Sequence, residues 1–323
     1  MKILVTGGAG FIGSHTCEYL LAREHKVVAL DNFDRAYSPA VKKRNLTAAM
    51  TNPAFKLVNG EFGDRLAMGK LLQEEKFDVV LHLAAQAGVR TSVHDPLKYE
   101  QVNVAYLVNM LEALREHGPR KLVYSSSSSV YGNSTPAPFH EDAPCLEPVS
   151  PYGATKRAAE IFLGTYKELY DFKVIIVRPF TVYGPRQRPD QAAVSFMRNI
   201  MLDEPIPVFG DGQSERDYTY VTDVAAGFTA AVELFPTDFG IYNLGAEEPV
   251  SLTSLIWAIE KLTGKTAKIE RLPNQSGDID RTLSDSGKAK YELGFVRRVG
   301  LNDGLAKMFA WVQSEFQYGN GKK

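Results

Sequence analysis

Six short apolar runs pace the first 180 residues: Ile3-Leu4-Val5, Val27-Val28-Ala29-Leu30, Phe55-Lys56-Leu57-Val58, Val79-Val80-Leu81-His82-Leu83, Lys121-Leu122-Val123-Tyr124 and Val174-Ile175-Ile176-Val177. Runs this short, rich in β-branched residues and apolar on successive positions, suit parallel strands covered on both faces. Stretches near 11–24, 64–75, 97–117 and 151–171 carry helical spacing between them. The expected fold class is therefore α/β, a doubly wound parallel (Rossmann) sheet. After Arg178 the rhythm breaks on Pro179, Pro185, Pro189, Pro205 and Pro207, which predicts a second, smaller α/β lobe packed by helices near 191–202, 251–263 and 301–317. The helix near 222–235 and the strand Ile241-Tyr242-Asn243-Leu244 are expected to rejoin the sheet. That divides the chain into a nucleotide-binding unit, 1–180 with 220–246, and a substrate lobe, 181–219 with 247–323.

Bulk properties narrow the function classes. The 323 residues are 44% hydrophobic, enough for one large core or two unequal ones, and the formal net charge of −1 gives no general attraction to nucleic acid or anionic membrane. No apolar stretch reaches membrane-spanning length, and the opening Met1–Thr6 run is too short for a signal peptide. Cys17 and Cys145 lie far apart without metal-ligand spacing, and none of the six histidines is spaced as a ligand. Both cysteines read as reduced and buried, His82 reads as structural, and no metal is expected. A cytoplasmic protein follows.

Directly after the first run comes Thr6-Gly7-Gly8-Ala9-Gly10-Phe11-Ile12-Gly13. Gly7 suits a tight turn, Gly10 lets backbone approach a pyrophosphate, and Gly13 lets helix and strand pack closely. Asp31 closes the second run at the distance expected of a carboxylate that accepts from ribose hydroxyls and repels a 2′-phosphate. NAD is favoured over NADP, with Arg35 the nearest residue that argues otherwise.

Tyr152 and Lys156 stand one helical turn apart, behind Ser150 as an N-cap and Pro151 as a first helical residue. A phenol needs a pKa lowered by roughly three units, about 4 kcal/mol, to act as a base near neutrality, and an ammonium beside it can supply much of that. Taken alone the spacing is short and common, and an ordinary surface helix explains it as well.

Together, the glycines at 7, 10 and 13, His82-Leu83-Ala84-Ala85, the serines before Val130-Tyr131-Gly132, Tyr152 with Lys156, and Arg178-Pro179-Phe180 ahead of Val182-Tyr183-Gly184-Pro185 give the chain its likeness. Over essentially its whole length it resembles the extended short-chain dehydrogenase/reductases that modify nucleotide sugars. The resemblance implies a catalytic Ser127, Tyr152 and Lys156, with Lys156 also on the nicotinamide ribose. It extends the NAD site from Gly7, Gly10, Gly13 and Asp31 to Phe11, Ile12, Asn32, Glu61, Phe62, Leu83, Ala84, Ala85 and Asn103. Ser125, Ser126 and Ser128 read as small residues where strand gives way to loop. Members that dehydrate carry an Asp-Glu pair after the triad residue, and decarboxylating members keep the Glu; Ser128-Ser129 stands here and cannot do that acid/base work. A 4-epimerase remains, oxidising C4, rotating the ketone and returning the hydride to its other face.

Substrate choice rests on the same likeness. Thr181, where UDP-glucose/galactose epimerases usually have Asn, and Arg188 resemble the UDP-glucuronate 4-epimerases, in which they face the sugar carboxylate, matching an Arg fork. Arg90 lies in a loop similar to that subfamily's. Phe209 is implied near uracil, Arg216 on phosphate and Asp278 on the uridine ribose. Arg186-Gln187, in contrast, is closer to the UDP-hexose and N-acetylhexosamine epimerases, so UDP-glucose or UDP-N-acetylglucosamine stays open, with a UDP-glucuronate decarboxylase and a silent NAD-binding sensor less favoured. Helices 97–117 and 151–171 form a homodimer interface in relatives, which implies one here.

Overall fold

In the computed structural model, which describes residues 1–273, 277 and 279–320 (the last five as backbone alone), the apolar runs become strands β1 (Lys2–Thr6), β2 (Lys26–Asp31), β3 (Phe55–Asn59), β4 (Val79–His82), β5 (Lys121–Ser125) and β6 (Lys173–Pro179). After them come β7 (Thr181–Tyr183), β8 (Pro205–Phe209), β9 (Glu215–Tyr220), β10 (Phe239–Leu244), β11 (Pro249–Ser251) and β12 (Lys268–Leu272). Seven strands form one parallel sheet in the order β10-β6-β5-β4-β1-β2-β3. The expected return of the 241–244 segment is met, since β10 pairs with β6.

Burial explains why the runs are apolar without alternation. Ile3, Val5, Val27, Val79, Leu81 and Val123 face one layer, where the helices Phe11–Ala22 and Val221–Leu234 bring Leu20 and Phe228. Leu4, Val28, Val80, Leu122 and Tyr124 face the other, against Leu107, Leu111 and Leu163 of the helices Tyr106–His117 and Pro151–Tyr170. Each such Leu or Val contributes roughly 1.5–3 kcal/mol when fully buried, so a charge at any of them would cost the sheet more than one interaction.

The smaller lobe has its own core, with Val194, Met197, Leu255, Ile259, Leu305 and Met308 packed behind β8 and β9. Two small sheets, β11-β9-β7 and β12-β8, support it. Most expected helices lie within two residues of their sequence limits. The segment 97–117 differs: it runs as Pro96–Glu100, a π-helical turn Gln101–Ala105 and Tyr106–His117. Short helices at Pro39–Asn45, Val89–His94 and Gly287–Leu293 were not anticipated, since six or seven residues are too few to show a period.

Candidate active site

Where the sheet order turns back, between β1 and β4, a cleft opens over the carboxyl ends of the strands and runs on to the smaller lobe. Gly7 lies at φ +70°, and a Cβ there would stand 2.7 Å from the Ala84 backbone nitrogen. At Gly13 a Cβ would stand 2.1 Å from the Gly7 carbonyl oxygen. Neither position admits a side chain without moving backbone. The helix Phe11–Ala22 has no side-chain cap and no acidic residue in its first turn, which leaves its leading N–H groups for an anion.

Asp31 is held at the end of β2 by the backbone N–H groups of Ala9 (3.1 Å) and Phe33 (2.8 Å). Asn32 donates to Glu61 Oε2 at 2.7 Å, while Glu61 Oε1 is buried with no hydrogen bond, an acceptor suited to an exocyclic amine. The expected cofactor residues all line the cleft except Asn103. Asn103 stands behind the wall, bonded to the backbone of Gln86 (2.8 and 3.0 Å) and to Thr155 Oγ1 (3.0 Å). The π-helical turn that carries it thus ties the loop after β4 to the helix of Tyr152.

That helix begins as the sequence suggests, with Pro151 in its first turn and the Ser150 side chain accepting from Gly153 N at 3.1 Å. Lys156 is buried and gives its Nζ to the Ser125 carbonyl at 2.7 Å, over the Tyr124 ring at 4.8 Å. Burial lowers its pKa to about 7 although Glu160 pulls it upward. Burial pushes the Tyr152 phenol the other way, above its ordinary value, and the groups that draw it back down are the Ser127 hydroxyl hydrogen-bonded to it and the Arg188 guanidinium. Ser127 Oγ accepts from Ser129 N at 3.1 Å and donates to Ser129 Oγ at 3.2 Å. His82 bonds Thr6 Oγ1 at 2.6 Å, and burial takes its pKa down to about 3, so the ring is neutral.

Opposite stands a wall made by loops. Arg188 gives Nη1 to the Ala87 carbonyl at 2.7 Å and forks onto Asp190 through Nε (3.0 Å) and Nη2 (2.6 Å). Tyr99 donates to the same Ala87 oxygen at 3.1 Å, and its ring meets that of Tyr152 edge-on at 6.2 Å. Arg188 is thereby linked to Tyr152 through the Ala87 carbonyl and then the Tyr99 side chain. The Arg90 guanidinium covers the Phe209 ring at 4.3 Å, and Arg216 donates to the Glu215 carbonyl at 2.9 Å. Thr181, Arg188, Arg90, Phe209 and Arg216 share the cleft with Ser127 and Tyr152. Asp278 lies outside the described residues.

Several groups escaped the sequence reading. The cation beside Asp31 is Lys42 (3.7 Å), which also covers the Tyr37 ring at 5.2 Å; Arg35 is exposed and outside the cleft lining. The basic run Lys42-Lys43-Arg44 on the following helix was the available signal. Ser126, taken as a small loop residue, donates to Glu160 Oε1 at 2.6 Å, and Glu160 is forked by Arg178 at 2.8 and 2.7 Å in full burial. Glu160, one further turn along the face of Tyr152 and Lys156, was the clue.

A phenol and an amine beside a dinucleotide crevice define an enzyme that moves a proton on and off a carbinol while a nicotinamide exchanges hydride with its carbon. More narrowly, the chain belongs to the NAD dependent epimerase/dehydratase family, whose model matches residues 3–245. It is 38% identical to the UDP-glucuronate 4-epimerase of Thermodesulfobacterium geofontis over 97% of both chains. Its fold matches the crystal structure of UDP-glucuronic acid 4-epimerase from Bacillus cereus in complex with UDP-glucuronic acid and NAD, with TM-score 0.91 and 37% identity over 98% of this chain and 100% of that one. The UDP-glucose 4-epimerase of Thermotoga maritima with UDP-glucose matches with TM-score 0.90 and 30% identity, over 98% of this chain and 100% of that one. The fold alone therefore does not separate uronate from neutral sugar.

Proposed function

We propose that this protein is an NAD-dependent UDP-sugar 4-epimerase whose substrate is UDP-glucuronate, interconverted with UDP-galacturonate. The observation that carries the substrate choice is Arg188: its side chain is 17% exposed, lines the cleft of Tyr152 and pulls on that phenol electrostatically. A hexose with CH2OH would leave without a carboxylate the two guanidinium N–H groups that Ala87 and Asp190 do not use, a mismatch that polar sites reject.

Bound NAD supplies the hydride acceptor and donor. Tyr152, as phenolate, takes the proton of the C4 hydroxyl, with Ser127 turning its one proton from Ser129 Oγ to the same oxygen while the Ser129 N–H, 3.1 Å from the Ser127 Oγ, keeps that side chain in place. Lys156, held by the Ser125 carbonyl, would bind the nicotinamide ribose. After the 4-keto sugar turns over in the cleft, Tyr152 returns the proton. Oxidation at C4 of a uronate makes a β-keto acid, and Arg188 with Thr181 keeps its carboxylate charged and turned away from the perpendicular geometry that releases carbon dioxide. Ser128 and Ser129 provide no acid/base group to favour that loss.

The neutral-sugar reading has one observation in its favour, the Asp190 carboxylate already on Arg188. Incubation with UDP-glucuronate, UDP-glucose and UDP-N-acetylglucosamine without added NAD, with the epimers resolved by chromatography, decides between them. Conversion of UDP-glucuronate is expected, and conversion of only the neutral sugars overturns the proposal. UDP-pentose would place the enzyme among the decarboxylases.

We further take the working form to be a cytoplasmic homodimer, residues 1–180 with 220–246 holding the cofactor and 181–219 with 247–323 the UDP-sugar. The apolar stripe Ile161, Phe162 and Leu169 on the helix Pro151–Tyr170 is 57%, 38% and 65% exposed and supports the pairing. Sedimentation at a monomer mass would refute it.

A further inference from the structure

The guanidinium expected to recognise the sugar carboxylate already carries one. Asp190 occupies the Nε/Nη2 edge of Arg188 at 3.0 and 2.6 Å, and the Ala87 carbonyl takes a proton of Nη1 at 2.7 Å. Of the five N–H donors, three are in use, and the unit positive charge is balanced within the chain before any ligand arrives. Both side chains line the cleft, and their exposures differ: the Arg188 side chain is 17% exposed and that of Asp190 49%. The cation is thus fixed by burial and by Ala87, whereas its partner sits at the solvent side and can turn away. Proline at 189 separates the two, so this contact closes within one tight segment and does not depend on packing from elsewhere.

We propose that Asp190 is the specificity-setting counter-carboxylate of Arg188: an internal anion with which the carboxylate of a sugar substrate must compete for the guanidinium. This rests on the reading of the substrate as a uronate. An incoming carboxylate that shares Arg188 with Asp190 meets a like charge at close range, and one that replaces it must expel a bidentate partner. In either case binding of the uronate is weakened relative to that of a neutral hexose, which never uses the fork. The gain is turnover: epimerisation must release both epimers, and an internal anion that returns to Arg188 speeds the departure of either.

The test is the pair of dissociation constants for UDP-glucuronate and UDP-glucose, measured by calorimetry on the NAD-loaded enzyme for the wild type, Asp190→Asn and Asp190→Glu. Asp190→Asn should raise the preference for UDP-glucuronate over UDP-glucose about tenfold, an effect kept moderate by the half-exposed position of the carboxylate. Asp190→Glu, which keeps the charge, should return the ratio to near the wild-type value. If Asp190 serves only to orient Arg188, the amide weakens UDP-glucuronate binding and the ratio falls; an unchanged ratio overturns the proposal equally. Equal NAD content in the three proteins shows that folding is intact. The two readings fail separately: no epimerisation of UDP-glucuronate by the wild type removes the substrate assignment, while the ratio in Asp190→Asn alone decides the competition.

Discussion

The two walls of the cleft are built in opposite ways. On the cofactor side, glycine backbone, strand ends and one helix start make the site, and charged groups sit in deep burial with partners from the adjoining strands and helix: Lys156 on Ser125, Glu160 on Ser126, Arg178 and Arg157. On the sugar side, loops meet across the two lobes through long side chains, Arg188 on Ala87 and Asp190 and Arg90 over Phe209, at partial exposure. The first wall is preorganised for one reaction. The second can exchange partners, which is what release of two epimers requires.

If that contrast holds, changes on the first wall should be all-or-none. Tyr152→Phe removes only the proton acceptor and should lower kcat about 10³-fold while NAD stays bound, the scale of general acid–base catalysis. Absorbance of the retained cofactor with the epimerisation assay checks both halves. Loss of NAD together with activity would mean that the phenol was holding the cofactor instead. Arg178→Leu leaves the Glu160 carboxylate, whose pKa is kept low against burial chiefly by Arg178, to Ser126 and the partly exposed Arg157, and should cost about 3 kcal/mol in urea unfolding. A cost under about 1 kcal/mol would put this pair with the exchangeable ones of the other wall.

The same contrast explains what could be read in advance. Gly7, Gly13 and Asp31 were legible because a backbone turn, a close approach and a strand end each demand one residue type at one spacing. Asn103 was legible as important but not by its place: the π-helical turn that directs it to Gln86 and Thr155 leaves no mark in a periodic pattern. Lys42 and Asp190 were missed because an ion pair formed by tertiary approach, or by a turn of two residues around a proline, has no period at all. Glu160 sits at the helical spacing from Lys156 that a face-by-face reading could have followed to Arg178.

A third, smaller effect separates the walls by pH. Lys156 titrates at about 7 in the folded chain against an ordinary 10.5, because burial outweighs the pull of Glu160. Between those values the unfolded chain holds a proton that the folded chain has released, so this group adds stability as pH rises from about 7 to 10.5. Below that window the ammonium is buried in charged form at its full desolvation cost. Lys156→Met lacks the charge, so its melting temperature minus that of the wild type should be most positive near about pH 6 and shrink towards about pH 10. A difference flat with pH would show that the Ser125 carbonyl compensates the ammonium completely.

The smallest expected change lies where the two lobes touch on the sugar side. Arg90 belongs to the short helix Val89–His94 beyond β4, Phe209 ends β8 of the smaller lobe, and their 4.3 Å stack is a direct tie between them. A cation over a ring at a partly solvated site contributes about 0.5–1 kcal/mol, so Arg90→Ala should weaken UDP binding by roughly twofold to fivefold. The single change does not isolate the stack, since Arg90 also lines the cleft; a double-mutant cycle with Phe209→Leu does. If the stack positions both groups for the uridine, the double variant binds UDP little worse than either single one. Strict additivity would mean that each lobe recognises the nucleotide independently, and exchange on the sugar side would then need no movement of the lobes at all.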